Sequence, residues 1–183
     1  MNRILIAASA GALLLTGACS GMRGGGGAGG SGAMASAAGD MTPTRAMPYV
    51  AMAGASDMYE IQSSQLALTK AATPAVRDFA QMMIQHHTMT TQQIMAAAQS
   101  AGMTPPPPQL MPMQAQMIQE LQGLSGAEFD RAYVRQQRRA HQMALALHST
   151  YANNGDTPQL KQVAATARPV VQQHLDRVRG MRG

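Results

Sequence analysis

The sequence is poor in the residues that usually build large, rigid cores. Its 183 residues include no tryptophan and six aromatic side chains, four tyrosines and two phenylalanines. A single cysteine rules out an internal disulfide bond. Methionine, by contrast, occurs 17 times, and alanine is frequent in the second half of the chain. Small and flexible side chains of this kind favour one domain of closely packed helices over a sheet.

Several functional signatures are also missing. The net charge is +5, but Arg177, Arg179 and Arg182 lie in the last seven residues, and no basic run carries interleaved aromatics. This pattern indicates a solvated surface, so we expect no nucleic-acid partner. No glycine-rich phosphate loop follows a strand, and no Gly-x-Ser-x-Gly motif is present. Because no complete catalytic constellation is seen, we do not expect an enzyme.

The features that are present begin with an export signal. Arg3 precedes an apolar run over residues 4–15. A run of about 12 residues is shorter than the roughly 20 that span a bilayer as a helix. We therefore predict a removable signal peptide over residues 1–18 and an exported, periplasmic chain.

The single cysteine, Cys19, stands directly after two small residues, as in bacterial lipoprotein signals. Thr16 departs from that pattern, because leucine or another aliphatic residue usually stands three positions before the cysteine. We predict that Cys19 is lipidated and anchors the chain to membrane lipid, with the outer membrane favoured. The alternative is ordinary cleavage, which would leave an unanchored periplasmic protein.

Residues 19–55 are rich in glycine, alanine and serine and show no clear apolar periodicity. Such a composition is typical of a flexible tether, so we predict a disordered, lipidated leader here. We place the folded domain at residues 56–183.

Helix signals then recur at regular intervals. A first helix is predicted from Ser56 or Asp57 to about residue 72, and a short helix over 112–121 follows four consecutive prolines. Cap-plus-proline or capping-box signals predict three further helices, which begin after Thr73, Ser125 and Thr157 and end near residues 101, 153 and 179. Two hairpins joined by one long crossover form an all-α, ferritin-like antiparallel four-helix bundle.

Three segments resemble a bacterial family called domain of unknown function 4142. They are DFAQMMIQHHTMTTQQI, SGAEFDRAYVRQQRRAHQMALAL and PVVQQHLDRVRG, and the resemblance covers residues 57–180. It implies a ferritin-like bundle that is secreted or lipid-anchored, and it implies no reaction. The chain departs from the family at His86, where an acidic residue is common. The resulting MIQHHTM is also similar to a second family, domain of unknown function 305, some of whose members are linked to copper.

Four polar residues fall at one level of the predicted bundle, which makes them candidate metal ligands. Glu60 and His87 lie 13 and 14 residues from the turn at Thr73, and His141 and His174 lie 16 and 17 residues past the caps at Ser125 and Thr157, so all four fall near mid-bundle. Three imidazoles and a carboxylate suit iron, zinc or copper. Against a di-iron oxidase, the Glu-x-x-His pairs are missing. Against any metal at this point, Arg138 shares a face with His141 and would repel a cation. The alternative is a buried polar layer in which the histidines hydrogen-bond to neighbours such as Glu60, Asp130 or Tyr133.

A second candidate site uses thioethers. Met82, His86 and Met89 follow one another at helical spacing, a set that suits monovalent copper. Methionines also crowd the crossover, at positions 103, 111, 113 and 117. The alternative is that these methionines are adaptable core filling.

Together these patterns predict an envelope-tethered helical bundle that binds a transition metal or serves in its storage or in a stress response. The competing hypothesis is a non-catalytic structural or interaction module that contacts another envelope protein. The sequence sets no oligomeric state.

Overall fold

The computed structural model describes residues 42–182, so the signal, Cys19 and most of the predicted leader lie outside the described residues. The all-α class is confirmed, and no helix of the described part is long and apolar enough to cross a membrane. The described residues form five helices: α1 (Ala46–Lys70), α2 (Pro74–Ser100), α3 (Pro112–Gln122), α4 (Gly126–Asn154) and α5 (Pro158–Arg179).

The four long helices form an antiparallel bundle of two hairpins. Helices α1 and α2 make the first hairpin, and α4 and α5 make the second. Between the hairpins, α1 packs against α4 and α2 packs against α5. Helix α3 lies in the crossover and contacts α1 and α4. The predicted ferritin-like architecture, with one long crossover carrying a short helix, is confirmed.

The crossover returns the chain to the end of the bundle where α1 turns into α2. There the carboxylate of Asp130 accepts hydrogen bonds from the backbone N–H groups of Ala72 and Thr73, each at 3.0 Å. Ala71 also forms an isolated bridge with Gly126. Since these contacts fix the start of α4 beside the first turn, residues counted from both points lie at comparable heights.

Helix α1 begins at Ala46, ten residues before the predicted cap at Ser56 or Asp57, and this prediction was wrong. Residues 46–55 belong to the bundle, not to the leader. The spacing of this segment is largely helical, since its buried positions are 46, 49, 50, 53, 54 and 55, but its glycine and alanine content hid it. Gly54 is needed for packing, because a Cβ there would lie 3.1 Å from Cγ of Pro108 in the crossover.

Of the caps predicted at Thr73, Ser125 and Thr157, only Thr73 forms a side-chain hydrogen bond to its helix. Thr73 accepts a hydrogen bond from the Val76 N–H at 3.4 Å, as expected. Ser125 makes no such bond, and the next residue, Gly126, has a φ of 62° that lies outside the helical range and disrupts the box. The hydroxyl of Thr157 instead donates to the neighbouring Asp156 carboxylate.

Two apolar clusters fill the bundle at different heights. The cluster near the α1–α2 turn contains Phe79, Phe129 and Tyr133, and the cluster at the other end contains Tyr49 and Tyr151 in a stack 3.8 Å apart. Along all four long helices, buried polar residues lie between the positions that belong to the two clusters. The bundle therefore carries a polar layer at mid-height.

Candidate metal centre

Three histidines from three helices meet in this layer. His87 of α2, His141 of α4 and His174 of α5 are 3%, 0% and 2% exposed. One ligand nitrogen of each lies within 4.8 Å of the other two. Each histidine is a buried residue on the inward stripe of its helix, with an apolar buried residue one turn away: Met83 before His87, Ala144 after His141 and Val171 before His174. We call these three residues the histidine triad.

His87 is oriented by a carboxylate. Its Nδ1 lies 2.8 Å from Oδ1 of Asp57, which is itself buried on α1. The other carboxylate oxygen of Asp57 accepts a hydrogen bond from the Thr91 hydroxyl at 2.9 Å. Because a carboxylate only accepts, Nδ1 of His87 donates and Nε2 is the nitrogen left for the interior. Carboxylate–histidine pairs of this kind orient the ligands of many metal sites.

His141 is oriented by its own helix. Its Nδ1 donates to the backbone carbonyl of Gln137 at 2.9 Å, which leaves Nε2 with its lone pair. Glu60 lies behind this ring, with Oε1 at 3.6 Å from the same Nδ1. The structure thus brings Glu60 to the level of the triad but sets it beside the outer nitrogen of His141. That Glu60 binds a metal directly stays a prediction.

His174 is paired with a fourth histidine. Its Nε2 lies 2.7 Å from Nδ1 of His86, and the two rings stack with centroids 5.0 Å apart. This contact leaves Nδ1 of His174 as the nitrogen that faces the other two members of the triad, whose ring centroids lie 5.5 Å and 5.3 Å away.

Five buried polar atoms of this layer have no hydrogen-bond partner among the described residues. They are Nε2 of His87, Nε2 of His141, Nδ1 of His174, Oε2 of Glu60 and Oε1 of Gln137. Buried polar atoms are nearly always paired, since an unpaired one costs about 1–3 kcal/mol. The three nitrogens without partners are the ones left free by the bonds described above. Three unpaired imidazole nitrogens close to one another are the arrangement expected of metal ligands.

Burial and neighbouring charges set the ionisation of the layer. Burial, aided by the charge of His87, lowers the pKa of His141 to about 3 and that of His174 to about 2. Burial also acts to lower the pKa of His87, but the hydrogen bond and charge of Asp57, with the charge of Glu60, raise it above 6.5. Burial raises the pKa of Glu60 to about 7. At neutral pH His141 and His174 are therefore uncharged, and each carries a lone pair suited to a metal.

The expectation that Arg138 would repel a cation at His141 was wrong. The Arg138 guanidinium donates to the backbone carbonyls of Val178 at 3.2 Å and Met181 at 2.6 Å. These acceptors lie at the C-terminal end of α5, where a cation is favoured by the helix dipole. The arginine therefore serves the end of the bundle and not the triad.

The fold places the three members of the candidate thioether site, Met82, His86 and Met89, in two different environments. Met82 packs against the apolar cluster near the turn, and its sulfur accepts from Nη1 of Arg177 at 3.5 Å. His86 and Met89 instead line an open cleft between α2 and α5, and Met89 is 52% exposed. The structure thus keeps His86 and Met89 together and turns Met82 to another environment.

Three of the four crossover methionines line a separate cavity of about 60 Å³ between α1, α3 and α4, while Met103 packs against the apolar cluster that contains Tyr49 and Tyr151. Met111, Met113 and Met117 meet Met52 of α1 and Met143 of α4 there. These side chains are partly buried or exposed, so they cover the flank of the bundle and do not fill its core.

Asp57 is the residue of the candidate site that sequence reasoning missed, since it was taken as a helix cap. It lies in the interior of α1 and is 2% exposed. Its distance of three positions from Glu60 places both carboxylates on one helical face, and that spacing was the available signal. The proposed structural partners of the histidines also differ, because Asp57, the Gln137 carbonyl and His86 take those roles.

Comparisons with known proteins agree with this description. The family described as domain of unknown function 4142 matches residues 31–181. Similar solved structures include CopM in its silver-bound form (TM-score 0.61, 18% identity, 74% of this chain and 93% of that chain) and in its Cu(II)-bound form (0.64, 19%, 74% and 93%). A domain of unknown function 305 fragment from Deinococcus radiodurans is also similar (0.64, 18%, 76% and 95%).

At these identities the structural likeness concerns the fold alone. It agrees with the second resemblance, which the MIQHHTM segment indicated. No curated protein matches the sequence.

Proposed function

Since the chain belongs to the domain of unknown function 4142 family and gathers three buried imidazoles at one point, we propose that it binds one transition-metal ion at the histidine triad. The observation that carries the proposal is that the inward nitrogen of each histidine is buried and lacks a hydrogen-bond partner. A layer with a purely structural role would be expected to pair these atoms.

The spacing of the triad supports the proposal. Nitrogens bound to one zinc ion at about 2.0–2.1 Å would lie roughly 3.4 Å apart in a tetrahedral site. The ligand nitrogens of the triad lie within 4.8 Å of one another. Small side-chain rotations would bring the three nitrogens to that spacing, which supports the proposal.

The charges favour a cation at the triad. Asp57 and Glu60 bring two buried carboxyl groups to the layer, and His141 and His174 are neutral at pH 7. A bound cation would take the place of the protons that the raised pKa values of Glu60 and His87 favour, and it would balance buried carboxylate charge where unpaired charge is unfavourable. Imidazole ligands suit zinc, iron and copper alike. CopM, a structure of similar fold, has been described with copper and silver bound, which supports testing copper among the three.

The geometry supports holding or storing the ion more than turning over a substrate. All three ligands are buried, and each comes from a different helix of a closely packed bundle. Asp57 orients His87, Glu60 supplies charge beside His141, and the helices exclude water from the layer. The competing role, a structural polar layer, predicts the same fold without stoichiometric metal.

Metal analysis of the purified full chain tests the proposal. After incubation with zinc, iron or copper and removal of excess ion, we expect about one equivalent of one of these metals per chain. His141→Leu should lose that metal. His148→Leu is the matched control, since His148 is equally buried on α4 but belongs to a Tyr49 hydrogen bond and not to the triad. Wild type without stoichiometric metal, or retention by His141→Leu, would establish the structural role instead.

We also propose that the bundle is tethered to the bacterial envelope through a lipid on Cys19. The short apolar run and the position of Cys19 after two small residues support this. The predicted leader would then let the bundle stand off the membrane and contact another envelope protein. Palmitate labelling of wild type and Cys19→Ala in cells tests the anchor. We expect label on wild type and none on Cys19→Ala. A wild type without label would refute the lipid anchor.

A further inference from the structure

The proposed ion would have to reach a site with almost no exposed surface. The three members of the triad are 0–3% exposed, and apolar clusters lie above and below them. A buried metal site needs an access route, which must pass between two helices. The side chain that links the triad to the surface is therefore of functional interest.

His86 makes such a link. On one side its Nδ1 contacts Nε2 of His174 at 2.7 Å, and the two rings stack. On the other side His86, which is only partly buried, lines the open cleft between α2 and α5. His174 thus has one nitrogen toward the triad and one toward a residue in contact with solvent. The two imidazoles form a continuous path of ligand atoms from the cleft to the site.

The cleft offers further ligand atoms at the outer end of this path. Met89 follows His86 by three positions on α2, so the two side chains lie on the same face of the helix. Met89 is 52% exposed, and its thioether is not occupied with core packing. The opposite wall is formed by residues of α5 such as Gln162, Thr166 and Val170. The cleft therefore presents a nitrogen donor and a soft sulfur donor to solvent.

We propose that His86 and Met89 form a loading site, which captures a metal ion from solvent in the α2–α5 cleft and passes it to the histidine triad through His174. The transfer is a ligand exchange: one imidazole–metal bond forms as another breaks, and the ion keeps its charge. Met89 adds selectivity, because a thioether assists soft ions such as Cu(I) or Ag(I) more than Zn(II). This inference rests on the proposed function of the triad.

Rapid-mixing kinetics with the full chain separate a loading role from a positioning role. Loading is followed with Zn(II) and Ag(I), and release with a chelator in excess. In His86→Asn the amide can keep a hydrogen bond to His174, but a strong ligand is lost. We expect loading and release to slow together, each by about tenfold or more, since a step on the path changes the barrier and not the end states. The equilibrium affinity should stay close to that of wild type.

Met89→Leu keeps the volume and apolar character of the side chain and removes the sulfur. We expect slower loading of Ag(I) and unchanged loading of Zn(II). Met113→Leu is the matched control, since Met113 is also an exposed methionine but lies on α3 outside the cleft. It should load both ions at the wild-type rate.

The outcomes distinguish the two proposals. Wild-type loading rates in both His86→Asn and Met89→Leu would overturn the loading site and leave the triad in place. Faster release with unchanged loading in His86→Asn would make His86 a positioning residue for His174 and would equally overturn it. Wild type that takes up neither ion at equilibrium would overturn the triad and the loading site together.

Discussion

Replacing His141 by leucine should change stability in opposite directions with and without metal. In the absence of metal, Nε2 of His141 is buried without a partner, and its ring lies 6.1 Å from the Phe79 ring on one side of the polar layer. Leucine can pack against Phe79 and removes the unpaired nitrogen. An unpaired buried polar atom costs about 1–3 kcal/mol, so metal-free His141→Leu should be more stable than wild type by about that amount.

With metal bound, the stability difference between wild type and His141→Leu should shrink or reverse in favour of wild type. A ligand at 100 times its Kd stabilises the folded state by about 2.7 kcal/mol. For a domain of this size, roughly 2–4 °C of Tm per kcal/mol gives a metal-induced rise of about 5–11 °C for wild type. His141→Leu has lost one of three imidazole ligands and should show almost no rise. The assay is urea and thermal unfolding of both chains, in chelator and in excess metal.

His148→Leu provides the control on the same helix. Tyr49 Oη and Nδ1 of His148 form a buried hydrogen bond at 3.0 Å, so the variant leaves the tyrosine hydroxyl unpaired and should be less stable by about 1–3 kcal/mol. It should keep the full metal-induced rise. The reasoning is refuted if metal-free His141→Leu is less stable than wild type, or if metal raises its Tm as much as that of wild type.

Three further predictions follow from the same layer and from the bundle end. Asp57→Asn should keep the fold but lower metal affinity by about 10- to 100-fold, because His87 loses its orienting carboxylate; equal affinities by competition titration would contradict this. Metal affinity should fall as the pH drops through neutrality. The pKa values of Glu60 (about 7) and His87 are raised, so protons must leave these two groups before the ion binds, and each group can lower the affinity by up to about tenfold per pH unit. Titrations at pH 8, 7 and 6 check this, and a flat profile would exclude both groups from the site. Asp130→Ala should destabilise the protein by about 1.5–3 kcal/mol for each bond lost, since the Asp130 carboxylate accepts hydrogen bonds from two backbone N–H groups of the α1–α2 turn. Urea unfolding measures this loss of stability. A change below about 0.5 kcal/mol, the range of ordinary surface substitutions, would show that the turn is stable without the carboxylate.

Much of the bundle was predictable because its helix limits have strong local signals. Thr73-Pro74 and Thr157-Pro158 mark the starts of α2 and α5, and Gly102 ends α2 with a φ of 76°. The start of α1 was missed because Gly54 and its alanine neighbours have a linker-like composition. Gly54 also lies against Pro108 of the crossover, a contact between distant positions that composition alone does not indicate.

The level of the candidate site was also predictable, but its hydrogen bonds were not. Counting 1.5 Å per residue from the turns was enough to place Glu60 and the three histidines together. Which nitrogen of each ring points inward depends on partners from other helices, such as Asp57 for His87 and His86 for His174. The orientation of Arg138 toward the end of α5 likewise required the tertiary structure.

The distribution of the site over two hairpins has a consequence for assembly. The α1–α2 hairpin supplies Glu60 and His87, the α4–α5 hairpin supplies His141 and His174, and a long crossover joins them. Two chains that exchanged their second hairpins would rebuild two complete sites from the same residues. Metal content per chain therefore does not report whether the protein is a monomer or a domain-swapped dimer. A cut within the crossover would likewise leave two fragments, each with only part of the histidine triad, and only reassociation of the fragments would restore the site.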